Sequence, residues 1–448
     1  MKNEFKGGRR IDDWRPEDEQ FWENGGKQVA SRNLWISIPA LLLAFSVWVI
    51  WSVIVVRMPE VGFQFDKAQL SWLVALPALS GATMRIFYSF MVPIFGGRRW
   101  TAISTASLLI PTIWLGFAIQ NPDTTFTTFA IIALLCGLGG ANFSSSMSNI
   151  SFFYPKSKQG TALGLNAGLG NLGVSVSQFV IPAVIGFSLF GALAGEGQMT
   201  ESGKVLYLQN AAFVWVIPIA IMTVLAWFGM NDLSGAKASF KEQSVIFGRQ
   251  HTWIMCILYL ATFGSFIGFS AAFPMVIKQS FPDVDPLKVA FLGPLVGALF
   301  RPFGGWLADK IGGARVTFWV YVVMAISVVA VMFFLKMGNF IGYFVGFMLL
   351  FMTSGIGNAS TFRMIPVIFR TMHERYNSPD LVNQARKESA AVVGFAGGFA
   401  AYGGFFIPKM FGSGLGINGT FIALIVFYVV CIALTWWYYS RKGAEFPS

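Results

Sequence analysis

The chain has 448 residues, 55% of them hydrophobic and only 12% charged, with a mean hydropathy of +0.62. Soluble domains do not reach these values, so the composition excludes a water-soluble enzyme or binding module and points to an all-α membrane protein. The formal net charge of +11 comes from basic residues scattered through short loops rather than gathered into a stripe with aromatics. That pattern indicates membrane topology and anionic headgroups, and excludes nucleic acid as a partner.

Residues 1-33 are polar and charged, with no short apolar core before a small-residue cleavage site, and read as a cytoplasmic N-terminal segment. Apolar runs able to cross a core of roughly 30 Å then recur twelve times. They cover 34–57, 70–95, 102–120, 127–153, 161–191, 209–230, 253–277, 288–308, 316–335, 341–369, 389–411 and 420–439. Spans four, five and ten exceed the bilayer requirement and are expected to tilt or extend into the interface. The expected organisation is a six-helix bundle over 34-230, a cytoplasmic linker over 231-252, a second six-helix bundle over 253-439 and a tail over 440-448. Lys and Arg number 22 on the side of the termini and even-numbered loops against 7 on the other, which predicts cytoplasmic termini.

A shift of 216 residues reveals an internal repeat. LPALSGATMRIFYSFMVPIFGGRRW (76–100) falls on LGPLVGALFRPFGGWLADKIGGARV (292–316), matching Gly81 with Gly297, Arg85 with Arg301, and Gly96 and Gly97 with Gly312 and Gly313. GGANFSSS (139–146) falls on GIGNASTF (355–362), and GLGNLGVSVSQFVIP (168–182) falls, in a register moved by ten, on GFAGGFAAYGGFFIP (394–408). Six spans followed by six equivalent ones is the two-half plan of major facilitator transporters. GGWLADKIGGAR (304–315) resembles that superfamily's loop motif through Gly305, Asp309, Lys310 and Arg315. In the first half Pro93 stands where the acid would be, so a different contact is expected there.

Arg85 and Arg301 each precede a loop glycine by eleven residues, a rise of roughly 16 Å at about 1.5 Å per residue, which places both near the midplane. An arginine at that depth costs about 2.5 to 3.5 kcal/mol on insertion scales, so two of them need partners or a water-filled cavity. Every carboxylate lies in a loop, a terminal segment or a span end, Glu388 being the nearest. Two guanidinium forks at one depth therefore predict a small anion as ligand; the bland alternative is that each braces its helix against carbonyls. Gly160, Gly164 and Gly168 are expected to form a flat packing face on span five with Gly170 nearby, and Gly394, Gly397 and Gly398 to do similar work on span eleven. Asn166 and Asn171 need a helix or ligand partner, and Asn142 and Asn358 are expected to bond between helices. Arg363 is balanced between snorkelling toward Arg370 and lining an exit path. Cys136, Cys256 and Cys431 read as packing residues, and His251 and His373 as loop residues without a second metal ligand. No cofactor or metal site is expected.

GGRRW, CGLGGANFSSSMSNISFFYPKSKQGTALGLNAGLGNLGVS and YLATFGSFIGFSAAF resemble the nitrate/nitrite porter family of the major facilitator superfamily, in its bacterial NarK/NarU type. The resemblance covers all twelve spans and weakens at both tails and around 192–208 and 372–388. It implies exchange of nitrite for nitrate across the bacterial inner membrane by alternating access; the carrier is expected to be monomeric. It further implies that Arg85 and Arg301 clamp the anion, that Asn171 and Tyr259 hydrogen-bond near it, that Phe143 and Phe263 sandwich its plane, and that Phe45 lines the cavity. Arg363 departs from the pattern, since relatives of this type carry glutamine there. The bare physics leaves open a proton symporter, a porter for another oxyanion, and a passive channel. Proton symport is disfavoured by the lack of a carboxylate or histidine deep in a span, a channel by the repeat and the glycine packing.

Overall fold

The computed structural model describes residues 9–191, 195–235, 244–376 and 381–448, so parts of the predicted N-terminal segment and linker lie outside the described residues. Among the described residues, twelve helices are long and apolar enough to cross a membrane. They are α1 (Glu19–Arg57), α2 (Lys67–Phe95), α3 (Gly97–Ala118), α4 (Phe126–Phe153), α5 (Ser157–Val184), α6 (Asn210–Gly229), α7 (Gln250–Ser280), α8 (Pro286–Ile311), α9 (Gly313–Lys336), α10 (Phe340–Arg375), α11 (Lys387–Phe411) and α12 (Gly416–Ser440). Several ends depart from the sequence reading, the largest being α1, which begins at Glu19 rather than at residue 34, within the predicted N-terminal segment. Two others have local reasons. Helix α5 stops at Val184 because Asn210 Nδ2 donates to the carbonyls of Val184 (3.2 Å) and Phe187 (2.6 Å), satisfying acceptors a helix end leaves open. Helix α10 continues past the apolar run, where an Arg370–Glu374 pair at 3.0 Å supports one more polar turn.

The chain forms two compact units, one of residues 1–65 with 79–238, the other of 66–78 with 239–448. The first turns of α2 thus belong to the second unit: Trp72 packs on Phe405, and Lys409 Nζ lies 3.9 Å from the Trp72 ring centre.

Each unit is built around its first helix. The most apolar window of α1 is 89% buried, and so is that of α7. In the first unit α1 packs on α4 and α5, where methyls on Gly139 and Gly173 would overlap the carbonyls of Ala44 and Leu42. Ser46 Oγ donates to the Gly173 carbonyl and Ser177 Oγ to that of Ser46, both at 3.0 Å. In the second unit α8 and α9 pack on α10, and α11 on α7. Gly297 meets Gly355 and Gly264 meets Gly403 backbone to backbone. Gly81 of α2 faces the Gly137 carbonyl and Gly140 of α4, so glycine brings the same helix pair together in both repeats, α2 with α4 and α8 with α10.

The loop after the second helix of each unit turns through a glycine with positive φ, Gly96 (89°) and Gly312 (95°). At Pro93 the first unit lacks the motif acid, and a carboxylate from elsewhere in the chain meets the start of the next helix instead. Strand β1 (Arg10–Ile11) pairs in parallel with β4 (Asp232–Leu233), β2 (Gln198–Met199) and β3 (Val205–Leu206) forming a separate hairpin. Asp232 Oδ1 accepts from the Arg98 backbone N–H at 2.9 Å and Oδ2 from Arg98 Nε at 3.1 Å, which caps α3 with a buried charge pair. In the second unit the equivalent N–H, of Ala314, donates to the Ser448 carbonyl at 2.8 Å.

Two sequence readings are corrected here. His251 and His373 are not loop residues: both are helical and buried (7% and 2% exposed). His251 Nδ1 meets Tyr439 Oη at 2.9 Å, and His373 Nε2 lies 3.3 Å from Glu388. Polar residues at a span end stay helical when partners on adjacent helices satisfy them. The predicted glycine face of Gly160, Gly164 and Gly168 does not pack, since methyls there would meet nothing within 4 Å, and the same is true of Gly394. Contact falls instead on Gly170, against Leu41, and on Gly173. Gly168 and Gly170 are about 200° apart around the helix, so only one of those faces turns toward α1. Gly397 and Gly398 are buried, and Cys136, Cys256 and Cys431 are free and buried.

Candidate functional site

Arg85 lies in the interior of α2 and is 1% exposed. Its Nε donates to the Gly140 carbonyl at 2.9 Å. Its guanidinium carbon lies 4.7 Å from the Phe143 ring centre and 5.3 Å from that of Trp48. A methyl on Gly140 would overlap the Trp48 indole, so the same glycine admits the ring and offers the carbonyl. Phe45 stands edge-on to both Trp48 (5.3 Å) and Phe143 (6.1 Å). It exposes no surface, so it backs the other two rings rather than lining a cavity.

Arg301 lies in α8, one residue before Pro302, and is only partly buried. Its Nη2 donates to Tyr259 Oη at 3.4 Å, and its guanidinium carbon lies 5.6 Å from the Phe362 ring centre. Nη1 is buried and meets no acceptor among the described residues. Tyr259 stacks with Phe362 (4.1 Å, 24° between planes) and with Phe263 (5.4 Å, 6°). Phe263 belongs to a π-helical turn, Leu260–Gly264, a distortion that recurs at functional sites because it re-aims side chains.

Magnitudes separate the two arginines. A desolvated cation–π contact contributes up to about 2 kcal/mol, and a hydrogen bond from a charged donor about 1.5 to 3. Two rings and a short carbonyl contact thus offset the insertion cost of Arg85, about 2.5 to 3.5 kcal/mol. One distant ring and one long hydrogen bond leave Arg301 short of that. Glu388, the acid the sequence placed closest to a span interior, is engaged elsewhere: it accepts two 3.0 Å bonds from Arg249, whose guanidinium it holds above the ordinary arginine range.

The remaining predicted residues fall in several places. Asn171 is 2% exposed, with Oδ1 lacking a hydrogen-bond partner among the described residues. Asn166 Nδ2 donates to Ser146 Oγ at 2.8 Å, and Ser146 meets Ser37 Oγ at 2.8 Å, joining α5, α4 and α1. Asn142 reaches the Ser104 carbonyl at 3.5 Å, while Asn358 is 2% exposed with an unpartnered Oδ1. Arg363 neither snorkels alone nor stands free on a path: its Nε contacts Asp309 Oδ1 of the loop motif at 2.6 Å. Lys310 Nζ lies 4.2 Å from the Trp306 ring centre, and Arg315 is exposed.

Sequence reasoning missed Trp48, Gly140 and Phe362. Trp48 stands three residues after Phe45, one turn along the same face, and Phe362 closes the repeat segment GIGNASTF, so helical spacing could have flagged both. The Gly140 carbonyl, a backbone group, leaves no side-chain signal.

A family model described as Major Facilitator Superfamily matches residues 36–378. The nitrate/nitrite transporter NarU of Escherichia coli (strain K12) is 50% identical, with 99% of this chain and 98% of that protein aligned. The probable nitrate/nitrite antiporter NarK2 of Thermus thermophilus is 42% identical, with 98% of each aligned. Among solved structures, a D-xylose-proton symporter matches with a TM-score of 0.69 at 15% identity, over 93% of this chain and 97% of that one, a likeness of fold alone. With twelve spanning helices, a superfamily match over most of its length and half its residues shared with a full-length relative, the chain is a multi-pass membrane protein that belongs to the nitrate/nitrite porter family of the Major Facilitator Superfamily, a family of transporters and not of enzymes.

Proposed function

We propose that the protein exchanges nitrate and nitrite across the bacterial cytoplasmic membrane by alternating access, and that Arg85 and Arg301 jointly hold the anion. Both termini are then cytoplasmic, as the distribution of basic residues indicates. The observation that carries the reading is Arg301, a span-interior cation with a buried Nη1 that no described group satisfies. Its repeat-equivalent is the arginine held by rings and a carbonyl. A planar oxyanion offers each guanidinium two acceptors at once, which a spherical halide does not. Tyr259 Oη and the Asn171 amide add neutral donors suited to a singly charged ligand.

Exchange follows from charge. Nitrate and nitrite each carry one negative charge, so swapping them moves no net charge. An unloaded carrier would have to reorient with two unneutralised arginines, which disfavours the empty step and couples efflux to uptake. Proteoliposome counterflow tests this. Labelled nitrate should enter only when nitrite or nitrate is inside, and Arg85→Lys or Arg301→Lys should each reduce entry about a hundredfold or more, since lysine keeps the charge and loses the fork. Entry into vesicles without internal anion, driven by an imposed pH gradient, would show symport instead.

A further inference from the structure

Arg315, the last basic residue of the loop motif, has no part in anion exchange as proposed above. It lines a cavity of about 360 Å³ together with Ser440, Arg441, Lys442 and Ser448. Three cations converge there; no aspartate or glutamate is among the lining residues, and the Ser448 main-chain carboxyl that also lines it is engaged with the Ala314 N–H at 2.8 Å. The nearby acids are engaged: Asp309 with Arg363 at 2.6 Å, Glu445 with Arg375 at 3.9 Å. Arg441 Nε is buried and meets no acceptor among the described residues, and its guanidinium carbon lies 4.0 Å from the Trp437 ring centre.

Its place in the fold is the boundary of the spans. The cavity lies where α8 and α12 end and α9 begins. Around it Ile311, Trp436 and Trp437 are 46%, 48% and 52% exposed, large apolar groups at the depth where indoles mark the edge of a bilayer. The chain after α12 is pinned into a fixed wall. Ser448 accepts from the Ala314 N–H at 2.8 Å, Phe446 packs 4.2 Å from His251 and 4.8 Å from the Arg375 guanidinium, and Ala444 and Phe446 are buried.

We propose that this cavity binds the phosphate of an anionic phospholipid, with Arg315, Arg441 and Lys442 on the phosphate oxygens and the acyl chains leaving past Trp437 and Ile311. Free phosphate shares the headgroup chemistry, but the exposed apolar rim has a use only if the ligand carries hydrocarbon. Basic residues at a membrane surface each strengthen binding of anionic lipid by about fivefold, so three of them predict a clear preference over a zwitterionic headgroup.

The test is native mass spectrometry of the full chain, delipidated in neutral detergent and titrated with phosphatidylglycerol, phosphatidylcholine or sodium phosphate. One phosphatidylglycerol should bind at least about tenfold more tightly than phosphatidylcholine, and millimolar phosphate should not displace it. The combined Arg315→Gln, Arg441→Gln, Lys442→Gln variant should lose the preference, while Arg315→Lys with Arg441→Lys keeps it. A Lys288→Gln, Lys336→Gln control, altered at the other ends of the spans, should bind as the native chain does. Should the triple variant aggregate, Arg441→Gln alone should weaken binding about fivefold. Equal affinity of the native protein for both lipids, or a preference that survives the charge removal, overturns the assignment. Displacement by millimolar phosphate overturns it in favour of a soluble anion. None of these readouts depends on nitrate exchange.

Discussion

Around Arg85 the first unit closes in with the Gly140 carbonyl, the Phe143 ring and the Trp48 indole. Around Arg301 the second unit leaves room, with a 3.4 Å contact to Tyr259 Oη, a ring 5.6 Å away and a partly exposed side chain. The repeat puts the two arginines at equivalent positions, so the difference arises from what the neighbouring helices carry. In the first unit a glycine lies opposite a tryptophan. At the matched position the second unit has Ile356 in place of Gly140, and its Gly304 packs on the Ile356 backbone instead. A cation clamped by its own fold has one position with or without ligand. One held by a long hydrogen bond can follow a ligand as the carrier reorients. The comparison therefore assigns the first unit a fixed pole and the second an adaptable one.

The most direct way to break that comparison is to unclamp Arg85 without touching it. Gly140→Ala places a methyl in the Trp48 ring, an overpacking change that costs about 1 to 3 kcal/mol, and it tilts the carbonyl that holds Nε. A misplacement of about 1 Å at a binding group can cost a hundredfold in rate. Exchange should fall by that order, with a melting temperature lowered by several degrees. Ile356→Val, at the matched position, should keep exchange within about threefold. Equal losses at both positions would mean that the arginines are held alike.

Ring substitutions sharpen the same point at smaller scale. Trp48→Leu removes a fully desolvated cation–π partner, worth up to about 2 kcal/mol, so kcat/KM for nitrate should drop about tenfold to thirtyfold, with some loss of stability. Phe362→Leu removes a more distant ring, worth about 0.5 to 1 kcal/mol, and should cost about threefold to fivefold. Tyr259→Phe deletes one hydroxyl and keeps the stacking with Phe362 and Phe263. It should raise KM about threefold to tenfold, leaving kcat and the melting temperature unchanged. A fall in kcat instead would show the hydroxyl taking part in reorientation.

How much of this could be read in advance depended on the kind of group involved. The twelve spans, the repeat and the depth of both arginines follow from periodicity and position, which the chain carries openly. The direction of a helix face does not. Gly160, Gly164 and Gly168 share a face by spacing, but only the rotation of α5 decides that Gly170 and Gly173 meet α1 while the others meet open space. Long-range capping was equally hidden. Pro93 shows that the motif acid is missing, but Asp232 lies so far along the chain that only β1 pairing with β4 brings it to the start of α3. The histidines were misplaced for a related reason, because their partners, Tyr439 and Glu388, come from helices elsewhere in the sequence.

The two loop regions extend the contrast to charge and yield the smallest expected effect. Arg98 and Asp232 are 6% and 12% exposed, and the carboxylate also accepts backbone N–H bonds, so that pair is part of the first unit's structure. Arg363 and Asp309 are 40% and 68% exposed, and exposed pairs contribute at most about 1 kcal/mol even at short distance, because water and salt screen them. Arg363→Gln should therefore shift the melting temperature by no more than about 2 °C and change exchange less than about twofold at physiological salt. What it should change is salt sensitivity: the native rate drifts as salt weakens the pair, whereas the glutamine variant has no pair to weaken. If exchange instead fell severalfold at every salt concentration, the Asp309 contact would be a working gate, and the second unit would hold a fixed charge pair of its own.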